Sequence, residues 1–324
     1  MVQKSASHVD LVDALSRLDI NEIQYRKEVI DHILLPDLRA CQELQLITED
    51  HECFGPAREL CRRRKVDDVV YDNHVSLLHG YRQFPLLLLQ NPSPSHHQPF
   101  NEMKKCPTID WISNTLLEIG LSIDEVPIMD MCPMFSDNDL RALDENEIRS
   151  TIEEGYELAE ETLGILENRI VIICQCRTKN GNLEFEGGMW GPANNKAAQE
   201  LCSSPAEANA KKAVVIWLAG RPIWCAKGLH PGYVLYGPGS EETLKDLIHD
   251  MYLPCMQRKQ EIQAASYERI VQSTEQVIEA IASRHRTNEK LLERTFDQLS
   301  LTLLEFKDAL GTVASKLRAC RQAI

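Results

Sequence analysis

Three polar residues of types that take part in hydrolysis stand at the ends of apolar runs: Asn91, Asp130 and His230. A side-chain amide can hold a water molecule, and an imidazole can donate a hydrogen bond to a leaving group as negative charge gathers there. A carboxylate can accept hydrogen bonds or stabilise a developing cation. Each signal is weak alone, because Asn-Pro and His-Pro commonly mark turns and an aspartate commonly caps a helix or turn. They predict one site only if the fold brings the ends of these runs together.

Apolar runs that alternate with helical patterns supply the elements to position these residues. Strands are predicted at 84–89, 126–131 and 170–174, with one or two more between 213 and 229. Helices are predicted at 108–119, 145–167 and 195–211, and from Ser240 onward. This alternation predicts an α/β fold with a mainly parallel four-stranded sheet flanked by helices. Ligands of such sheets bind beyond the carboxyl ends of the strands, where the predicted loops 90–97 and 230–237 lie.

In this order, the motifs resemble those of the uracil-DNA glycosylase superfamily. Gln90-Asn91-Pro92 is similar to that family's first loop, which reads G-Q-D-P-Y or G-x-N-P-G, and His230-Pro231-Gly232 is similar to its late H-P-S loop. Between them, Met129-Asp130-Met131-Cys132-Pro133 resembles the N-x-C-P segment of the single-strand-selective monofunctional branch. The resemblance covers residues 80–255. It implies a hydrolytic DNA base glycosylase of base-excision repair, with neither a metal nor another cofactor.

The resemblance implies catalytic roles for Asn91, which would hold the attacking water, and for His230, which would donate a hydrogen bond to the departing base. A base inside a duplex must be extruded or already unpaired before it can be reached. The residues that would contact such a base are Gln90, Ser93, Phe100 and Asp130.

Two further residues, Tyr233 and Leu235, would wedge into the gap that an extruded base leaves in the DNA. Ordinary packing is the alternative interpretation for both of them, and core packing is the alternative for Phe100.

The sequence departs from the family's motifs at several positions. Leu89 stands where the family has glycine, Ser93 replaces its tyrosine or glycine, and Gly232 replaces the serine of its late loop. Asp130 stands in place of the base-reading asparagine, and an ionised aspartate only accepts hydrogen bonds, so it would repel a carbonyl oxygen of uracil. The base is then cytosine-like or adenine-like, or Asp130 is protonated, or catalysis is lost. Alternatively, Asp130 could supply the negatively charged carboxylate that the neutral Asn91 lacks.

Histidine and cysteine residues give no clear metal motif. His96 and His97 are adjacent and would face opposite ways on a strand, so we expect no shared metal site there. The eleven cysteines include no Cys-x-x-Cys pair, and Cys174 and Cys176 have no partner ligands nearby in the sequence. This pattern indicates reduced thiols in the cytoplasm or nucleus.

The composition is that of a globular protein with 43% hydrophobic residues and a net charge of −14. The sequence contains no apolar run long enough to cross a membrane, which requires roughly 18 residues, and its N-terminus lacks a signal-peptide core. We therefore expect no membrane partner. The acidic charge opposes non-specific binding to nucleic acid, so a DNA-binding surface would have to be local. The dense basic cluster Arg62–Lys65 is either a solvated helix end or a phosphate contact.

Helical segments are predicted on both sides of the α/β domain. Residues 8–50 show helical spacing, for example at Leu11, Leu15 and Leu18, and Pro36 should break or kink this stretch. From 256 to 324 apolar residues recur at alternating intervals of four and three. The heptad pattern predicts a coiled coil that joins a homodimer or a partner helix. The alternative is a hairpin folded onto its own domain, with a turn at Ser283–Asn288.

The sequence thus predicts an N-terminal helical region at 1–80, an α/β glycosylase-like domain at 81–255 and a coiled-coil segment at 256–324. Three functions are compatible with it: a DNA base glycosylase, a catalytically inactive scaffold that works through its C-terminal helices, and an enzyme that uses the same crevice for another small substrate. The third is disfavoured because the sequence has no Walker loop, G-x-G-x-x-G, G-x-S-x-G or H-E-x-x-H motif.

Overall fold

The computed structural model describes residues 24–174, 201–218, 220–285, 301–308 and 311. Contacts between residues divide the chain into two compact units, Met1–Pro254 and Cys255–Ile324. The division places the helices before residue 80 in the same unit as the sheet. Several predictions fall outside the described residues: those for Leu11, Leu15, Leu18, Cys176, the first part of the predicted 195–211 helix and most of the heptad positions after 285.

The first unit is built on a five-stranded sheet. Its strands are β1 (Leu86–Leu89), β2 (Ile128–Asp130), β3 (Ile170–Ile173), β4 (Ala213–Leu218) and β5 (Arg221–Lys227). Their order is β2-β1-β3-β5-β4. Neighbours pair in parallel except β4, which is antiparallel to β5. The prediction of a mainly parallel α/β sheet is confirmed, but its count of four was one short because both apolar stretches after 213 are strands. Gly220, with a φ of +76°, lies in the turn that joins them.

Helices of the first unit surround this sheet. They are α1 (Arg26–Val29), α2 (Leu35–Ala40), α3 (Phe54–Arg64), α4 (Asp68–Leu78), α5 (Phe100–Met103), α6 (Pro107–Glu118), α7 (Asp137–Arg141), α8 (Glu145–Leu166), α9 (Pro205–Asn209), α10 (Pro231–Tyr236) and the first residues of α11 (Glu241–His285). Helices α3 and α8 share one hydrophobic cluster with Leu86 and Leu88 of β1. Leu87 and Leu89 point to the opposite face and are equally buried. Burial on both faces explains the continuous apolar run of this strand.

The N-terminal part of the first unit differs from the prediction. The first helical stretch of the described chain ends at Ala40, and residues 41–53 form no helix, although a helix was predicted to residue 50. Pro36 does not break the helix, because a π-helical turn at Ile30–Leu34 precedes it and α2 begins at Leu35. The wider π-helical turn tolerates Pro36, which has no N–H to donate to the preceding turn. Of the predicted 195–211 helix, only α9 is helical among the described residues.

The second unit consists of the later part of α11 and a helical segment at 301–308. Glu275 Oε1 of α11 lies 2.6 Å from Lys307 Nζ, so the two segments are neighbours within one chain, as the hairpin alternative requires. Helix α11 continues through His285, so the predicted turn does not begin at Ser283. None of the described residues at 257–280 and 301–308 is buried. No helix within the described residues has the length and apolar character needed to cross a membrane.

Candidate functional site

A cavity of about 380 Å³ opens at the carboxyl ends of β1, β2 and β5. Asn91, Asp130 and His230 all line it, one from each of these strand ends. The volume lies near the lower end of the roughly 300–1,000 Å³ typical of small-molecule sites. Residues from three distant parts of the chain therefore meet at one site because three parallel strands end at the same edge of the sheet.

The wall of the cavity combines apolar and polar side chains, and one helix that contributes to it, α4, was not predicted to reach the site. Leu89, Met129 and Pro133 contribute apolar surface, and α4 contributes Asn73 and His74. In ligand pockets the apolar surface desolvates the ligand and the polar groups orient it. Helix α4 belongs to the region predicted to lie outside the glycosylase-like domain.

The Asn91 side chain has a defined orientation. Its Nδ2 donates a hydrogen bond to Asp137 Oδ1 at 3.1 Å. A carboxylate can only accept, so this contact identifies which end of the amide is nitrogen and leaves Asn91 Oδ1 as the acceptor. Asp137, in the first turn of α7, also lines the cavity. The cavity thus contains an amide oxygen with a carboxylate beside it.

Asp130 is the last residue of β2 and is only 5% exposed. Within the described part of the chain its carboxyl group makes no hydrogen bond or ion pair, although it lines the cavity. Burial raises the pKa of Asp130 to about 7, because the charged form loses its hydration. Near neutral pH this carboxyl therefore exists partly as the neutral acid, which both donates and accepts hydrogen bonds.

His230 is the N-cap residue of α10, and Pro231 is the first residue of that helix. The segment 230–237 was expected to be a loop, and this was wrong. The His230 ring Nδ1 accepts a hydrogen bond from the backbone N–H of Gly232 at 3.0 Å. Burial lowers the pKa of His230 to about 4, so the ring is neutral at pH 7. A neutral ring that accepts through Nδ1 carries its proton on Nε2, which is therefore a hydrogen-bond donor.

The loop after β1 turns into a 3₁₀-helix at Pro94–His97, which brings His96 and His97 together instead of facing them apart. Their ring centroids are 4.2 Å apart. Both approach the carboxylate of Asp139 on α7, with His97 Nε2 at 2.8 Å from Oδ1 and His96 Nε2 at 3.3 Å from Oδ2. The expectation that the two side chains diverge was wrong because it assumed an extended backbone.

The other residues predicted for the site lie in different places. Ser93 lines the cavity and caps the 3₁₀-helix. Among the residues described as lining the cavity, Gln90, Phe100, Tyr233 and Leu235 are absent. Gln90 is buried, and Leu235 is 38% exposed on α10. The structure therefore assembles the predicted catalytic pair with Asp130 and Ser93, but not the remaining base contacts or the wedge residues.

The basic cluster Arg62–Lys65 forms the last turn and C-terminal cap of α3. Arg62 pairs with Glu59 at 2.9 Å, and Arg63 and Arg64 both pair with Glu154. These contacts favour the interpretation as a helix end over a phosphate contact. A different cation, Arg141 of α7, is exposed and lines the cavity.

Compared with known proteins, the chain matches no protein-family model and no curated protein sequence. The resemblance to glycosylases therefore depends on short motifs and on the geometry described above. Polar residues of the cavity wall that the sequence did not predict include Asn73, His74, His96, Asp137 and Arg141. Asp137 had a usable signal, since Ser136 followed three residues later by Asp139 is typical of a helix start.

Proposed function

We propose that this chain hydrolyses the N-glycosidic bond of an unpaired or extruded DNA base bound in the cavity. The observation that carries the proposal is the meeting of Asn91, Asp130 and His230 in one cavity of about 380 Å³. The cavity supplies an acceptor for water, a group that can read the edge of a base and a neutral imidazole donor.

The attacking water would be held by Asn91 Oδ1. Asp137, whose Oδ1 accepts the hydrogen bond from Asn91 Nδ2, fixes the amide and places negative charge on the same side of the cavity. Cleavage leaves positive charge on the sugar, which this carboxylate stabilises, and it takes the proton that the water loses. Asp137 thus supplies the carboxylate that Asn91 lacks.

The leaving base would be stabilised by His230. As the bond from C1′ to the base nitrogen breaks, both bonding electrons go to the base, which becomes an anion. The protonated Nε2 of a neutral His230 can donate a hydrogen bond to that anion. The ring need not become an imidazolium for this, which suits a residue whose pKa is lowered to about 4.

Base recognition would depend on Asp130. Its protonated form presents one donor and one acceptor, as an asparagine amide does, and so fits the paired acceptor and donor on the edge of uracil. Its ionised form presents acceptors only and fits a base with an amino group at that position. Because the pKa of Asp130 is about 7, the favoured base should change with pH.

The experiment incubates purified protein with single-stranded and duplex oligonucleotides that carry uracil or another deaminated base, and then cleaves abasic sites with alkali. We expect strand breaks whose rate on uracil falls as the pH rises through 7. Asp130→Asn, which keeps a donor and an acceptor at every pH, should lose that part of the pH dependence. Absence of strand breaks with every lesion, at both pH 6 and pH 8, would remove the proposal.

A second candidate function is that of an interaction scaffold, which one observation favours. Ile270, Val277 and Phe306 of the second unit are each at least 42% exposed. Exposed apolar residues on a helical surface mark contacts with another protein or with a second copy. Sedimentation of the full chain tests this: Val277→Glu should reduce self-association, whereas replacement of the neighbouring exposed Glu279 by Gln should not. If the Glu279→Gln variant is a monomer at all concentrations, as the Val277→Glu variant is expected to be, self-association is contradicted.

A further inference from the structure

The contacts of His96, His97 and Asp139 present a problem that hydrogen bonding alone does not solve. His96 is 2% exposed, and its Nδ1 lies 2.8 Å from the carbonyl oxygen of Ser93. A carbonyl oxygen only accepts, so Nδ1 carries the proton, and Nε2 of the neutral ring is a lone pair. That buried Nε2 has no hydrogen-bond partner within the described structure. Its near neighbour is Asp139 Oδ2 at 3.3 Å, another acceptor.

Two acceptors at this distance repel each other unless a cation lies between them. A second proton on His96 would supply one and would make an ion pair with Asp139. A metal ion is the other solution. The three potential ligand atoms, one each from His96, His97 and Asp139, all lie within 4.8 Å of one another.

We propose that His96 Nε2, His97 Nε2 and the Asp139 carboxylate bind one Zn²⁺ ion. Bonds from zinc to nitrogen and oxygen of roughly 2.0–2.1 Å place tetrahedral ligands roughly 3.3 Å apart. Asp139 Oδ2 lies 3.3 Å from His96 Nε2, and Asp139 Oδ1 lies 2.8 Å from His97 Nε2. The first separation equals the tetrahedral value and the second is about 0.5 Å shorter, so the side chains need to move only slightly on binding. Two imidazoles and a carboxylate are a ligand set suited to zinc, and water completes the tetrahedron.

The groups around the cluster are arranged as supports for metal ligands. The carbonyl of Ser93 orients the His96 ring and leaves Nε2 as the ligand atom. Asp139 Oδ2 accepts hydrogen bonds from the backbone N–H and the hydroxyl of Ser136, at 2.7 and 2.6 Å. Asn73 Nδ2 donates to the carbonyl oxygen of His96 at 2.7 Å. Outer partners of this kind fix ligand orientation and are worth roughly 10–100-fold in metal affinity.

Zinc at this position would fasten the loop after β1 to α7. The same two segments carry Asn91 and Asp137, whose hydrogen bond is part of the cavity. The ion is thus proposed to position that pair, and it takes no part in bond cleavage. The proposal does not depend on the function of the cavity, because it is tested by metal binding.

The experiment titrates metal-free, reduced protein with ZnCl₂ in a calorimeter and repeats the titration with CoCl₂ in a spectrophotometer. We expect one tight site per chain, with visible Co²⁺ bands of tetrahedral nitrogen and oxygen ligation. The near-ultraviolet charge-transfer band of thiolate ligation should be absent, which separates this site from the cysteines. Zn²⁺ should also raise the midpoint of thermal unfolding, and EDTA should reverse the rise.

Three variants make the result specific. His97→Ala removes a ligand that is 42% exposed, so it should fold normally and weaken zinc binding by more than the roughly 10–100-fold that loss of an outer partner costs. Asp139→Asn keeps an oxygen that can accept the hydrogen bonds from Ser136, but it removes the carboxylate charge and should also weaken zinc binding. His32→Ala, at an exposed histidine elsewhere, is the control and should bind as the wild type does. The proposal is overturned if the folded wild type binds no Zn²⁺, if thiolate bands dominate, or if His97→Ala binds as tightly as the wild type.

Discussion

Replacing Asp130 by asparagine should stabilise the protein, and the gain should grow with pH. In the unfolded chain this carboxyl ionises near its ordinary pKa of 3.8, whereas burial delays ionisation in the folded state to about pH 7. Between these two values the unfolded state binds fewer protons than the folded state. Stability therefore falls as the pH rises through this window and levels off above about pH 7. Asparagine has no charge to bury, so the variant escapes this loss.

The magnitude follows from the size of the shift. A difference of about three pKa units corresponds to about 4 kcal/mol, at about 1.4 kcal/mol for each unit. This is the full difference expected above pH 8, and close to 2.5 kcal/mol of it should develop between about pH 5 and about pH 8. Any effect of the amide's own packing or hydrogen bonding does not vary with pH, so the slope isolates the burial of the charge.

The assay is urea unfolding of the wild type and of Asp130→Asn at several values between pH 5 and pH 8. The quantity of interest is the difference in free energy of unfolding between the two proteins. Asp72→Asn, which removes an exposed carboxyl of α4, is the control for a general loss of negative charge. A difference that stays constant across this range would show that Asp130 is not a buried, unpaired carboxyl, and the account of base recognition would fail with it.

Four further substitutions test the cavity and the packing that supports it. His230→Asn keeps a side-chain acceptor that can cap α10 but loses the imidazole donor, so base excision should slow by roughly 10²–10³-fold while the free energy of unfolding changes by less than about 1 kcal/mol. Asn91→Ala and Asp137→Ala should each reduce the excision rate, and the double variant should lose less than the product of the two effects, because the residues are joined by one hydrogen bond; independent effects would contradict the proposed water site. Tyr252→Phe should cost about 1–3 kcal/mol in urea unfolding, since it leaves the buried carbonyl of Pro85 without its partner; an unchanged midpoint would mean that this bond adds nothing.

The strands and their polar ends were predictable from the sequence for a definite reason. β1 and β3 are buried on both faces, so each is a continuous apolar run with polar residues at its ends. Asn91, Asp130 and His230 each lie at or just after such a boundary. Once the strands are taken as parallel, their ends must share one edge of the sheet, and the cavity follows.

Helix α4 and the groups that support the site were not predictable in the same way. Asn73 and His74 face a cavity that exists only in the folded protein, and their burial has no mark in the local sequence. The mistake about His96 and His97 has the same origin, since a 3₁₀ turn changes which way adjacent side chains point. For α10 a signal was present: Pro231 suits the first position of a helix, and His230 suits the cap before it because its ring can accept a backbone N–H.

The loop after β1 and the first turn of α7 meet through Asn91 and Asp137 and again through His97 and Asp139. The first contact belongs to the proposed catalytic site and the second to the proposed zinc site. Both proposals therefore involve the contact between the loop after β1 and α7, but they predict different experimental results. If the ion positions the catalytic pair, EDTA should slow base excision by the wild type and leave the already slower His97→Ala variant unaffected. If zinc binds but the rate of base excision does not depend on it, the hydrogen bond between Asn91 and Asp137 alone is sufficient to hold the loop after β1 against α7. Zinc binding without any excision would leave the metal site standing and remove the glycosylase.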